Sequence, residues 1–229
     1  MSVSEILQAA KTAAPLIARA STLQKNLVLK ELAKLLSESS AAIISANQID
    51  IENGKSTLSP GLIDRLTLTE GRIQALADSL QSIVDLPDPV GESLQGFTLG
   101  NGLRLQQVRV PLGVVGCIYE ARPNVTIDIA ALAIKSGNAA VLRGGSAAEN
   151  TNRVLVGLIQ SALMSAGLPK AAVQTIDQFG REGASELMQA RGLVDVLIPR
   201  GSAGLIQAVV EESKVPVIQT GDGVVHIFV

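Results

Sequence analysis

The chain is poor in the residues from which many common sites are built. Cys117 is the single cysteine among 229 residues, so an internal disulfide and a cysteine-based metal site are both excluded, and a reducing, cytoplasmic setting is expected. Histidine is as scarce. His226 alone, close to the end of the sequence, cannot complete a Ser-His-Asp or Cys-His set and has no histidine partner for a metal, so its expected role is that of a hydrogen-bonded structural residue. Aromatic residues make up only 2% of the chain, which leaves Ala, Val, Leu and Ile to fill the core. No run approaches the roughly 18 uninterrupted apolar residues of a membrane span. The opening "MSVSEILQAAKTAAP" carries Glu5 and Lys11 where a signal peptide has an apolar block. The net charge of −2, with no long basic run, gives no electrostatic footprint for nucleic acid or anionic lipid. The pattern G-x-x-x-x-G-K-[ST] is absent, which excludes P-loop chemistry.

With 47% hydrophobic residues, the chain has enough apolar matter for one large domain or two modest ones. The first 90 residues read as helical. Ile6, Ala9, Ala10 and Ala13 form one stripe; Leu27, Leu29, Leu32, Leu35 and Leu36 form another that continues through "AAIISANQIDIENG" to a stop at Gly54. A third stretch runs from Leu62 to Val84. It ends at "DLPDPVG", a Pro- and Gly-rich segment that divides a helical region, 1–90, from an α/β region, 91–229. Just beyond, "GFTLGNGLRLQQVRVP" alternates apolar and polar residues around Gly100 to Gly102, as a hairpin at about 97–110 would.

From Leu112 onward, the short apolar runs "LGVVGCIY", "NAAVLR", "AVQTI", "VDVLIP" and "VPVIQ" alternate with helical stretches at 124–136, 146–166, 181–190 and 202–213. This alternation predicts an α/β fold: a Rossmann-like parallel sheet with helices on both faces, preceded by the helical region and the hairpin. Pro123 has no N–H for a ladder and pushes Arg122 toward an extended conformation, so the first of these strands should end near Tyr119. Asn124 or Thr126 is positioned to cap the helix that follows, and Arg122 could clamp a carboxylate or phosphate. Glycines gather where strands should end: Gly144 and Gly145, Gly180, Gly201, Gly221 and Gly223. They permit positive φ and a close approach of backbone to a phosphate. In "LRGGSAAEN", Ser146 with Glu149 three residues on is a capping-box arrangement, and the segment reads equally as a tight turn or as a nucleotide contact. "IPRGSAGL" repeats that design, whereas "GDGVVH" lacks a third glycine and reads as a turn. Cys117 lies inside an apolar strand with nothing cationic beside it, as a buried core residue would.

Those segments carry a resemblance. "VPLGVVGCIYEARPNVTIDIAALAIKSGNAAVLRGGS", followed by "AGLP", "LIPRGSAGLI" and "VPVIQTGDGVVHIFV", resembles the gamma-glutamyl phosphate reductase (glutamate-5-semialdehyde dehydrogenase) family of the aldehyde dehydrogenase superfamily. The resemblance implies an NADPH-dependent reduction of L-glutamyl 5-phosphate to L-glutamate 5-semialdehyde in proline biosynthesis. In that reaction a cysteine thiolate displaces phosphate to form a thioester, which hydride then reduces. It further implies that Asn124 donates to the oxyanion, that Arg143 meets the 2′-phosphate of NADP, and that Gly144, Gly145 and Ser146 shape the wall beside it. Gly201 and Ser202 then open the helix that meets the pyrophosphate. In such enzymes the nucleophilic cysteine lies in a separate catalytic domain, past the stretch matching residues 215–229, and Val225 stands where relatives often carry a non-catalytic cysteine. Cys117 does not match that nucleophile in position or surroundings. The expectation is therefore a chain that stops before its nucleophile and is inactive alone: either a piece of a longer enzyme, with homo-oligomers possible, or a nucleotide-binding or oligomerisation remnant.

Overall fold

The computed structural model of the chain describes residues 1–120 and 122–219; "GDGVVH" and His226 lie outside them. Five helices come first: α1 (Val3–Ala18), α2 (Thr22–Glu38), α3 (Ser40–Gly54), α4 (Pro60–Leu66) and α5 (Glu70–Asp85). Ser2 with Glu5 and Ser21 with Gln24 form capping boxes, which settle where α1 and α2 begin. Next come the antiparallel strands β1 (Ser93–Thr98) and β2 (Arg104–Val108). The hairpin starts earlier than the sequence suggests, because Ser93 already pairs with Val108.

The second half alternates β3 (Val114–Tyr119), α6 (Pro123–Lys135), β4 (Ala139–Arg143), α7 (Glu149–Ser165), β5 (Val173–Thr175), α8 (Gly180–Gln189), β6 (Val196–Arg200) and α9 (Ala203–Glu212). The four later strands form one parallel sheet in the order β5-β4-β3-β6. The expected fifth strand, "VPVIQ", is present within the described residues only as an isolated parallel bridge between Val217 and Leu197.

Both faces of the sheet are covered, which is why its strands are apolar without interruption. Cys117, Tyr119, Ala140, Leu142 and Val173 point into one cluster with α2, α3, α5, α6 and α7. Val114, Ile118, Ala139, Val141 and Leu197 point the other way, into a cluster with most of the buried residues of α1 and with α8 and α9. Ala13 and Ile17 of α1 join the first cluster. Asp195 pins α1 to the sheet, accepting from Lys11 Nζ at 2.8 Å and from the Val114 N–H at 2.8 Å. Gly113 beside it adopts φ +119°, where a side chain would also strike the Asp195 carboxylate.

Several local expectations need correction. The stripe from Leu27 to Gly54 is two helices divided at Ser39, and the break is invisible to periodicity because both halves face one core. The stretch from Leu62 to Val84 is also two. Buried Asn47 bridges the interruption, accepting from Leu68 N at 2.7 Å and donating to Leu66 O at 2.9 Å. Neither Asn124 nor Thr126 caps α6. Arg122 takes the N-cap position with φ −141° and ψ 93°, as the following proline demands, and Pro123 opens the helix. Ser146 caps nothing either: residues Ser146–Ala148 form a 3₁₀ turn, and α7 begins at Glu149. Its first N–H groups are met instead by buried Asp50 of α3, which accepts from Asn150 N at 3.2 Å and Thr151 N at 2.8 Å. A carboxylate at that end also suits the helix dipole.

Candidate functional site

The chain proceeds from β3 outward through β4 and β5, then returns to the other side of β3 at β6. The crevice between the carboxyl ends of β3 and β6 is therefore the topological switch point, where open α/β sheets hold ligands. A cavity of about 230 Å³ opens there, lined by Tyr119, Glu120, Arg122, Val125, Arg200 and Gly201.

On the β6 side Ser202 caps α9, accepting from Leu205 N at 3.4 Å. An interaction not foreseen from sequence joins it. Glu120 Oε1 accepts from Ser202 N at 3.0 Å and from Ser202 Oγ at 2.6 Å, so a carboxylate sits at a helix N-terminus that favours anions. Gly201 is not held by backbone conformation, since its φ is not positive; a Cβ there would press on the Glu120 side chain.

On the β4 side Arg143 is half-buried. Its Nε donates to Gly180 O at 3.3 Å, and its two terminal nitrogens make no hydrogen bond among the described residues. Gly144 and Gly145 also lack the expected positive φ. At Gly144 the constraint is proximity, because a Cβ would collide with the Asn152 amide. Beneath it runs a buried polar chain. Asp177 accepts from Gly144 N at 2.6 Å and from Asn152 Nδ2 at 2.8 Å, while Asn152 Oδ1 accepts from Thr126 Oγ1 at 2.8 Å. Thr126 has one hydroxyl hydrogen and gives it to Asn152, so Tyr119 donates across the 2.7 Å contact between the two hydroxyls. Burial raises the Asp177 carboxyl above its ordinary range, countered by hydrogen bonds from Asn152, Gly144 and Thr175. The sequence offers no local signal for this chain, whose members come from four separate elements.

Arg122 and Asn124 stand at the turn between β3 and α6, and both also line a larger cleft of about 540 Å³ between α4, α5 and the first turns of α6. Arg65, Arg72 and Asp128 share that cleft. Asn124 Nδ2 donates to Asp128 Oδ2 at 3.3 Å, which leaves the second amide hydrogen uncommitted among the described residues. Burial pushes the Asp128 carboxyl up, with Asn124 opposing. Cys117 is fully buried in β3, and burial drives its thiol up to about 12 against the lowering influence of Arg200. It is no nucleophile at neutral pH. Among the described residues there is no cluster of three or more His, Cys, Asp or Glu fit for a metal, and no helix long and apolar enough to cross a membrane.

A family model described as "Aldehyde dehydrogenase family" matches residues 1–220. The chain is 62% identical over 227 residues to the gamma-glutamyl phosphate reductase of Leifsonia xyli subsp. xyli, covering 99% of this chain and 54% of that protein. It is 56% identical to the one from Clavibacter michiganensis subsp. michiganensis, over 99% of this chain and 52% of that protein. The solved gamma-glutamyl phosphate reductase from Thermotoga maritima superposes with a TM-score of 0.94 at 38% identity, covering 97% of this chain and 54% of the other. That from Saccharomyces cerevisiae gives 0.88 at 32%, over 97% and 57%. The chain thus spans about half the length of the curated relatives it matches.

Proposed function

The chain belongs to the aldehyde dehydrogenase family, and from that premise we propose that its 229 residues form the NADPH-binding half of a reductase that converts L-glutamyl 5-phosphate to L-glutamate 5-semialdehyde in proline biosynthesis. The observation that carries this reading is the β3–α6 turn. It sets Arg122 on the wall of both the switch-point cavity and the larger cleft, with Asn124 beside it in the latter.

NADPH, when bound, supplies the hydride. The chain's own residues receive and orient the reactants. The terminal nitrogens of Arg143, without a hydrogen bond among the described residues, take a 2′-phosphate, and the bare backbone at Gly144 and Gly145 forms the adjacent wall. The end of α9, with Gly201 and Ser202, already receives an anion in the form of Glu120, which supports its assignment to the pyrophosphate. Arg122 holds the acyl phosphate, and the uncommitted Asn124 N–H donates to the oxyanion that develops at the acyl carbon, a contact worth about 3 kcal/mol of barrier.

Thioester formation needs a thiolate, and the only cysteine of these residues is buried Cys117. The thiol therefore comes from sequence other than these 229 residues, and taken alone they bind nucleotide without turnover. The same proposal locates the protein in the cytoplasm, on the strength of its single cysteine. It also makes the protein a homo-oligomer, with the exposed hairpin side chains Leu94, Phe97, Leu103 and Leu105 as the surface offered to a second copy.

Titration of NADPH and NADH against the chain and its Arg143→Ala variant tests the reading. NADPH binds more tightly to the parent, and the substitution narrows the difference by about 1.5–3 kcal/mol, the value of a charge-assisted contact. Equal losses for both nucleotides restrict Arg143 to its structural bond with Gly180.

A further inference from the structure

Resting on that reading, we infer that the cleft between α4, α5 and α6 is an α-amino-acid head-group subsite, in which Arg65 takes the α-carboxylate of the substrate and Asp128 its α-ammonium. Two arginines of the N-terminal helices line the cleft, and only one is committed. Arg72 donates to the Asp64 carboxylate at 2.8 Å, to Thr67 O at 2.8 Å and to Asp64 O. Arg65 makes no ion pair and no side-chain hydrogen bond among the described residues. Arg65 is exposed on that concave wall, and a guanidinium without a partner among the described residues offers a carboxylate a bidentate contact.

Asp128 supplies the opposite charge. It accepts one hydrogen bond, from Asn124, and has no cationic partner among the described residues although it is half-buried. A half-buried carboxylate without a cation is incomplete, and an ammonium completes it. Burial raises its carboxyl, and an ammonium beside it would lower it again.

Spacing connects the two ends. Asn124 and Asp128 share one face of α6, four residues or about 6 Å of rise apart, and their side chains meet at 3.3 Å, so each keeps a second polar atom for one molecule lying across both. The acyl carbon and the α-carbon of a glutamyl chain are three C–C bonds apart, about 4 Å allowing for bond angles. With the acyl oxygen at Asn124 the α-ammonium reaches Asp128, and Arg122, which lines the cleft two residues before Asn124, is left for the phosphate. Arg65 and Arg122 thereby sort two anions of one molecule.

Calorimetric titration with four stable probes decides it: L-glutamate, glutarate (no ammonium), 4-aminobutyrate (no α-carboxylate) and inorganic phosphate. The parent chain binds glutamate about tenfold more tightly than glutarate or 4-aminobutyrate, the effect of losing one charge-assisted contact. Arg65→Ala weakens glutamate and glutarate about tenfold and leaves 4-aminobutyrate and phosphate unchanged. Asp128→Asn weakens glutamate and 4-aminobutyrate and leaves glutarate unchanged. A parent that binds none of the organic probes, or binds them alike, overturns the inference, as does a variant that weakens all three equally. Loss of phosphate binding in Arg65→Ala assigns that residue to the acyl-phosphate end and also overturns it. NADPH titrated on the same samples keeps the two proposals apart. Intact NADPH binding without head-group discrimination removes only the subsite, whereas a parent that fails to bind NADPH removes the reading beneath it.

Discussion

At the scale of single residues, the site rests on groups whose partners are already assigned. Cys117 is excluded from chemistry by its environment: a thiol raised to about 12 by burial has almost no thiolate at neutral pH. Asp177 is the opposite kind of buried group, one that satisfies others. It receives both the Gly144 N–H and the Asn152 amide, so Asp177→Ala leaves two buried donors without acceptors. The variant should be less stable by about 3 kcal/mol, measured by urea unfolding monitored by circular dichroism. It should also loosen the backbone at Gly144, seen as faster amide hydrogen exchange there. Unchanged stability would mean that water replaces the carboxylate and that the polar chain does not organise the turn.

Among the elements, the N-terminus of α9 offers a test of the proposed pyrophosphate site. Its N-terminus is filled by the Glu120 carboxylate, through hydrogen bonds of 2.6 and 3.0 Å from Ser202. A pyrophosphate at the same end has to displace that charge or lie against it. Glu120→Gln removes the repulsion and keeps an acceptor for Ser202, so NADPH affinity should rise by about 0.3–1 kcal/mol in fluorescence titration at low salt, with the gain shrinking as salt is added. Weaker binding would instead make Glu120 a contact to the nucleotide. The α7 start follows the same logic from another source, since Asp50 of α3, rather than Ser146, meets its first N–H groups. Local sequence showed a capping box where a distant carboxylate made one unnecessary.

Across the whole molecule, the "DLPDPVG" segment is a fixed joint. Buried Lys25 of α2 reaches Asp88 at 2.7 Å, Thr22 Oγ1 donates to Asp88 at 2.7 Å, and Lys25 also approaches Lys135 O at the end of α6. Burial by itself raises the Asp88 carboxyl, but hydrogen bonds from Lys25, Thr22 and the Val90 N–H, with the Lys25 charge, outweigh it and hold the pKa below the ordinary 3.8. A carboxyl depressed in the folded state contributes stability above its unfolded pKa, and that contribution is lost as pH falls through the lower, folded value. Asp88→Ala strands a buried ammonium and should cost about 2–3 kcal/mol at pH 7. Because the parent loses the contribution in acid, the gap between the two should close as pH falls below 3.8; a gap constant down to pH 2 would attribute the loss to packing alone.

The sequence by itself determined the parallel sheet, the burial of Cys117, the strand end at Tyr119 and the extended Arg122. Each depends on short uninterrupted apolar runs or on the covalent constraint of Pro123, and both act within a few residues of the chain. Arg122 stood out in the sequence for the same reason, being polar where a strand must end, while the role proposed for Asn124 came only with the family resemblance. Only the tertiary structure decided the breaks at Ser39 and Thr67, the start of α7, the polar chain under Gly144 and the meeting of Arg65 with Asp128 across one cleft. There the deciding partners lie far apart in sequence, 21 residues from Asn47 to Leu68 and 101 from Asp50 to Thr151. A hydrogen bond selects its donor by distance in space, and distance along the chain carries no record of that until the sheet brings α3 against α7 and α5 against α6.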